Sequence, residues 1–390
     1  MTVDPPPSSA PNSPPNPASS PAETLRVLVV DDSAFNRQTI AGMLERLPGV
    51  EVVGRATNGK EALRLVFDLR PHLITLDLEM PEIDGFAFLR LLMQKRPTAV
   101  LVVSTHSARD DVFRALELGA LDFIAKPSAE VTPELRSIER ELVAKVELVR
   151  RLQVVQVLRL HERAAALQRA TPSPGVPMSA SFGHSAGIVV GALGGAPRVC
   201  IAIAASTGGP PAVQHLLAQL PRDLPATLLI AQHMPARFTR AFAERLDRVV
   251  PMRVVEAEDG VPLMNATAYV APGSAHLEVA VGGVGPIARV TAASGGTASV
   301  TPSADRLFRS ATAVFGVRLC TVVLTGMGTD GTEGARVAHG AGAHVLAEDP
   351  SLAVMSGMPQ SAIAAGIVHE VAPLDGIVRL ICDFVTKAGL

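Results

Sequence analysis

An apolar run, Leu25 to Val30, leads straight into two carboxylates, Asp31 and Asp32, and a second, Leu73 to Leu76, leads into a third, Asp77. Acids grouped at the ends of buried strands are costly to desolvate together. A divalent cation relieves that cost, and Mg²⁺ beside a nucleophilic carboxylate is chemistry for accepting a phosphoryl group. Ser104 and Thr105 close AVLVVST, and Lys126, followed by Pro127, closes DFIAK. They would add a hydroxyl donor and a cation for the phosphoryl oxygens. Taken singly, Asp31 and Asp32 could cap the next helix, and Lys126 could be a surface lysine.

A second set of reactive side chains lies downstream. RVCIAIAA delivers Ser206, in Ser206-Thr207-Gly208-Gly209-Pro210, at the start of a helix. The glycines let backbone approach a ligand, and a helix start offers free N–H groups. The segment is not a G-x-S-x-G elbow, and a phosphate cradle or plain turn chemistry would also account for it. ATLLIAQ ends at His233, an imidazole at another strand end. His215 and His276 are rival bases, and a structural histidine remains open. LCTVVLTG leads into Gly326-Met327-Gly328-Thr329-Asp330-Gly331, where Asp330 could orient a base or cap a helix. An alcohol, an imidazole and a carboxylate at three strand ends can meet in one crevice.

Positioning these groups takes two α/β units. Between 25 and about 142, the strands LRVLVV, VEVVGRA, LITLDL, AVLVVST and DFIAK alternate with amphipathic stretches, which predicts a doubly wound five-stranded parallel sheet. Residues 143–197 read as a linker: the helical pattern that starts at Pro133 runs to Arg169 and gives way to a Ser/Pro/Gly-rich loop. Residues 198–387 form a second doubly wound unit, with RVCIAIAAS, ATLLIAQH, LCTVVLTG and AHVLAE as its clearest strands. The Pro/Ser-rich stretch 1–24 is expected to be a disordered tail. The 390-residue chain is 48 % hydrophobic with a net charge of -2, which argues against a nucleic-acid partner. Cys200, Cys320 and Cys382 are scattered in apolar surroundings, as in a reduced cytoplasmic protein. No apolar stretch is long enough to insert in a membrane.

The first unit resembles the receiver domain of two-component response regulators, on VVDDS, LDLEMPEIDG, the Ser104-Thr105 pair and Lys126-Pro127. The resemblance implies that Asp77 is phosphorylated by a sensor histidine kinase. It also implies that Asp32, Asp77 and the Glu79 carbonyl bind Mg²⁺ with Asp31 acting through water, and that Ser104, Phe123 and Lys126 form the switch. Phe123 could equally be a core phenylalanine. The second unit resembles the chemotaxis protein-glutamate methylesterase domain, on STGGP, AQHMPARFTRAFAERLD, EAEDG, YVAPGSAHLE and LTGMGTDG. That resemblance implies Ser206 as nucleophile, His233 as base, Asp330 as orienting acid and Met327 as backbone oxyanion donor, with no cofactor for hydrolysis. It further implies methylated chemoreceptors as substrate, with deamidation of receptor glutamines as a companion reaction. Thr329 departs from the Asn often found there. A phosphorylation-gated protease or amidase and a non-catalytic binding unit are the rival readings.

Overall fold

A computed structural model of the chain describes residues 24–104, 109–126, 132–151, 196–293 and 300–389. The expected tail, up to residue 23, and the linker loop between 152 and 195 lie outside them.

The first unit runs β1 (Leu25–Val30), α1 (Ala34–Glu45), β2 (Val50–Ala56), α2 (Gly59–Leu69), β3 (Leu73–Leu76), α3 (Gly85–Lys95), β4 (Ala99–Ser104), α4 (Arg109–Glu117), β5 (Asp122–Ala125) and α5 (Thr132–Arg151). Its sheet is parallel throughout, in the order β2-β1-β3-β4-β5. The largely apolar runs of β1 and β3, interrupted only by Arg26 and Thr75, are explained by helices on both faces. Ser33, Asn58 and Asp84 cap α1, α2 and α3 with side-chain oxygens. Helix α5 packs Leu142, Val146 and Val149, a stripe at i, i+4 and i+7, onto Val27, Val29, Leu101 and Ile124. The helix expected to begin the linker is thus, as far as Arg151, a layer of the first unit, and the expected boundary at 142 falls inside it.

The second unit runs β6 (Cys200–Ala205), α6 (Gly209–Gln219), β7 (Thr227–Gln232), α7 (Ala236–Val249), β8 (Arg253–Glu256), β9 (Thr267–Val270), β10 (Ala275–Gly282), β11 (Gly285–Ala292), α8 (Ala304–Phe315), β12 (Leu319–Val323), α9 (Thr332–Gly340), β13 (His344–Glu348), α10 (Gly357–Ala364), β14 (Glu370–Ala372) and α11 (Leu374–Ala388). Its seven-stranded parallel sheet has the order β14-β13-β12-β6-β7-β9-β8, and β10 and β11 form a separate antiparallel hairpin. The chain leaves β6 toward β7 on one side and returns to β12 on the other. The carboxyl ends of β6, β7 and β12 therefore border a topological switch point, where open α/β sheets collect ligands.

The two units share one hydrophobic cluster. Phe113 of α4 stacks on Phe242 of α7 with ring centroids 5.4 Å apart, and Phe123 of β5 meets Phe238 of α7 edge-on at 4.6 Å. Arg245 pairs with Glu117 at 2.5 Å beside them. The three cysteines are free thiols. No helix among the described residues is long and apolar enough to cross a membrane. Phe242 is 1 % exposed, so Phe242→Ala should cost about 3–5 kcal/mol of unfolding free energy. A denaturant titration of the full chain checks this, and an unchanged midpoint would show that the aromatic contact contributes nothing.

Candidate active site

In the first unit Asp31 and Asp77 are buried and Asp32 is exposed, with carboxylate oxygens of all three within 4.8 Å of one another. Lys126 is no surface lysine. It is 5 % exposed, and its Nζ lies 2.7 Å from Asp77 Oδ2 and 3.0 Å from Asp31 Oδ2. Burial pushes the Asp77 carboxyl up to about 6 in spite of the Lys126 contact. Burial would lower Lys126, but the two carboxylates outweigh it and hold its pKa above the ordinary value. The helix cap is Ser33, whose Oγ accepts from Asn36 N–H, which leaves Asp31 and Asp32 free of that task. Arg37 donates to the Asp31 and Asp32 carbonyls at 2.6 and 3.1 Å and pins the acidic turn. Phe123 is a core residue, 2 % exposed. Ser104 ends β4, but its side chain, like Thr105 and Pro127, lies outside the described residues. Glu79 is exposed, and its N–H donates to Asp77 Oδ1 at 3.3 Å.

In the second unit Ser206, His233 and Asp330 line one cavity of about 1050 Å³. His233 Nε2 lies 2.8 Å from Asp330 Oδ2. Asp330 also accepts from Ser303 Oγ (3.0 Å), Ala304 N–H (2.7 Å) and Asp305 N–H (3.1 Å). It therefore orients an imidazole and also caps a helix, though the helix is α8 rather than the one that follows it. Burial alone would raise the Asp330 carboxyl, but His233 and the two backbone donors outweigh it and hold it below the usual carboxylate range. Asp305 returns the contact by accepting from Gly331 N–H (3.0 Å) and Gly334 N–H (2.6 Å), which ties α9 to α8. Gly331 sits at φ +93°, a left-handed conformation that suits glycine.

Ser206 follows β6, and its N–H donates to the Thr325 carbonyl at 3.0 Å. Among the described residues its hydroxyl makes no hydrogen bond, nor does the Met327 N–H, and Met327 lines the same cavity. Gly326 lies against the serine: a Cβ there would fall 2.8 Å from Ser206 Cβ and 2.2 Å from Met358 Sδ. The expectation of a donor-rich helix start after Ser206 needs correction. Helix α6 begins at Gly209, and its next two residues, Pro210 and Pro211, have no N–H to offer an anion. The phosphate-cradle alternative loses those two donors for the same reason. The rival bases also separate. His215 lies on α6, and its Nε2 contacts Asp375 of α11 at 2.6 Å. His276 is buried at the cavity wall, and its Nδ1 already accepts from Ser303 N–H at 3.1 Å. Burial, together with Arg306, lowers its pKa. Its remaining nitrogen then carries the proton and cannot take another.

The first unit forms part of the cavity wall through Asp122, Phe123, Glu141, Ala144 and Lys145. Thr207, next to Ser206, donates its hydroxyl to Asp122 Oδ2 at 2.6 Å. Lys145 pairs with Asp122 at 2.9 Å and with Glu141 at 3.2 Å, and donates to the Phe123 carbonyl.

Two family models match the chain: the response regulator receiver domain over residues 27–135 and the CheB methylesterase over 201–381. A protein-glutamate methylesterase/protein-glutamine glutaminase of Geobacter sulfurreducens is 43 % identical over 94 % of this chain and 98 % of that protein. One of Myxococcus xanthus is 45 % identical over 90 % of this chain and 95 % of its own length. The chain belongs to the protein-glutamate methylesterase/protein-glutamine glutaminase family. Among solved structures, the Thermotoga maritima CheB methylesterase catalytic domain is 34 % identical, over 47 % of this chain and 97 % of that domain, with a TM-score of 0.46.

Within this family site, sequence reasoning passed over Ser303, Asp305, Asp122, Lys145 and Gln232. Ser303-Ala304-Asp305 ahead of an apolar run was a readable helix-start signal. The other three stand in strand or helix patterns that hide their partners. Asp77 generates a stability prediction. Its folded pKa of about 6 exceeds the ordinary 3.8, so its burial penalty is absent below about pH 4 and complete above about pH 6. Asp77→Asn should therefore raise unfolding free energy by on the order of 1–3 kcal/mol at pH 8, and the gain should vanish as pH falls toward 4. Unfolding measured in chelator between pH 4 and 8 checks the sign, and a gain that grows toward acid would refute it.

Proposed function

We propose that this chain is a phosphorylation-activated hydrolase that removes methyl esters from chemoreceptor glutamates and deamidates receptor glutamines, with Ser206, His233 and Asp330 as its catalytic triad. The observation that carries this reading is the 2.8 Å contact between His233 Nε2 and Asp330 Oδ2 in the cavity that Ser206 lines. An ionised Asp330 only accepts, so Nε2 holds the proton and Nδ1 is the nitrogen left to act as base. Ser206 Oγ attacks the γ-carbonyl of the ester, and its proton passes to His233 Nδ1. The Met327 N–H stabilises the oxyanion, and such a donor is worth roughly 10²- to 10³-fold in rate. The C–O bond to methanol breaks as His233 returns the proton. Water then loses a proton to His233, attacks the acyl-serine and releases glutamate and Ser206. With a glutamine substrate the leaving group is ammonia.

The receiver supplies the control. The Asp77 carboxylate attacks the phosphoryl group of a sensor histidine kinase's phosphohistidine, the P–N bond breaks and leaves the kinase's imidazole, and Lys126 neutralises oxygens of the acyl phosphate formed. The three carboxylates, their oxygens within 4.8 Å of one another and two of them buried, are a set of hard oxygen donors that fits a divalent cation. Asp31, Asp32, Asp77 and the Glu79 carbonyl would hold Mg²⁺, which when bound offsets charge on the phosphoryl oxygens. Ser104 and Phe123 pass the change on toward the cavity. The receiver acts as a lid: β5 and α5 form part of the cavity wall, and Asp122 holds Thr207 beside the nucleophile. Moving such an equilibrium from 1:99 closed to 99:1 open takes about 5.5 kcal/mol, so a phosphoryl group of charge near −2 gives a graded shift more readily than a complete one. The substrate would be the cytoplasmic part of the receptor, which places the enzyme in the cytoplasm.

Methanol release from methyl-labelled receptors, with and without a small phosphodonor plus Mg²⁺, tests the whole reading. Ser206→Ala and His233→Ala should each lower turnover at least about 10⁴-fold, and peptide fragments in place of methanol would mean a protease. Removing residues 1–190, or Asp122→Ala in the full chain, should raise turnover without phosphodonor. Unchanged turnover in both folded variants would end the lid reading.

A further inference from the structure

Gln232, the last residue of β7, is 1 % exposed. Its Nε2 donates to the Ser206 carbonyl at 2.8 Å and to the His233 carbonyl at 3.1 Å. Two carbonyl acceptors at one end identify that end as the nitrogen, because an oxygen there would face two oxygens. The other end, Oε1, is buried without a hydrogen-bond partner. A buried orphan acceptor is a cost, so the value of this side chain lies in the bridge. At the strand ends the His233 N–H still donates to the Ala205 carbonyl at 2.9 Å and the Ser206 N–H to the Thr325 carbonyl at 3.0 Å, but neither bond joins residue 206 to residue 233, and the bridge does. Ala205 and Gln232 are the last paired residues of β6 and β7, so Ser206 and His233 lie just beyond the ladder. Gly209 makes room for the carboxamide: a Cβ there would lie 2.1 Å from Gln232 Oε1 and 2.9 Å from its Cδ. The second glycine of STGGP was expected to admit a ligand, but it faces Gln232.

We propose that Gln232 is a positioning residue for hydrolysis: its carboxamide ties the carbonyls of Ser206 and His233 and so sets the spacing of hydroxyl and imidazole, with Gly209 clearing the space it needs. This rests on the roles given above to Ser206 and His233. The test uses the full chain activated by phosphodonor and Mg²⁺, with a methyl-labelled receptor fragment as substrate. Gln232→Met keeps length and loses the donor, Gln232→Glu puts acceptors where the donor was, and Gly209→Ala displaces the carboxamide. For the first two, kcat should fall about 10- to 100-fold with KM within twofold. Labelling of Ser206 by a fluorophosphonate should slow in proportion. Gly209→Ala should give the same pattern, and the double variant with Gln232→Met should be no worse than the poorer single one, since both act through one group. A merely structural role would lower the melting temperature while kcat per folded molecule stayed within twofold, and that result, or additive losses, overturns the proposal. If Gly209→Ala does not fold, the two Gln232 variants decide alone. Ser206→Ala runs in parallel: full hydrolysis there removes the triad reading, whereas its loss beside an unimpaired Gln232→Met removes only the role of Gln232.

Discussion

The Asp330 carboxylate accepts from His233, from the Ser303 hydroxyl and from the first two N–H groups of α8. A buried carboxylate stays ionised only where donors replace the water it has lost, and a helix start is a dense source of them. Much of the site's geometry follows from meeting that need. The loop after β12 must reach the start of α8, so α8 must lie over the sheet at the switch point. Asp305 completes the arrangement by receiving Gly331 and Gly334, and each acid thereby serves the start of the other's helix. The same contact that keeps Asp330 charged also fixes which nitrogen of His233 holds its proton.

A comparable constraint organises the receiver, with the opposite outcome for its acid. Asp31, Asp32 and Asp77 crowd one site where Lys126 pairs with two of them, and burial pushes the Asp77 carboxyl up toward neutrality. The acids follow β1 and β3, and Lys126 reaches them from the end of β5, a strand only four residues long. Lys126 follows that strand, while its first two residues, Asp122 and Phe123, reach Thr207 and Phe238 of the second unit. The acidic cluster and the wall of the cavity that Ser206 lines are thus joined through a few consecutive residues. Lys145 of α5 braces the same segment through Asp122 and the Phe123 carbonyl.

Legibility in the sequence followed the strength of the local signal. Strands β1, β3 and β4 of the receiver and β6, β7, β12 and β13 are mainly apolar, and their burial on both faces made them readable, whereas β2 is only half buried. The short strands β8, β9 and β14 and the hairpin of β10 and β11 went unread because each is brief or only half buried. Helix α5 was read as a helix but assigned to the linker, since an amphipathic pattern reports that a face is covered and not what covers it. Asp330 was legible both as an orienting acid and as a cap, whereas the identity of the capped helix was not. Pro210 and Pro211 were visible throughout, and their missing N–H groups could have tempered the reading of a donor-rich helix start.

By itself the sequence determined which side chains stand at the ends of which buried strands, because hydrophobic runs and the residues that break them are local properties. It supplied acids, a lysine, a serine and histidines at such ends, and with them the two kinds of chemistry. Only the tertiary structure set His233 against Asp330, His215 against Asp375 and His276 against Ser303, turned Gly209 toward Gln232 and laid β5 of one unit against Thr207 of the other. Those choices depend on strand order and on packing between segments as much as 160 residues apart, as for His215 and Asp375. Contacts at that range are set by how whole layers fit together, and no local pattern of apolar and polar residues encodes them.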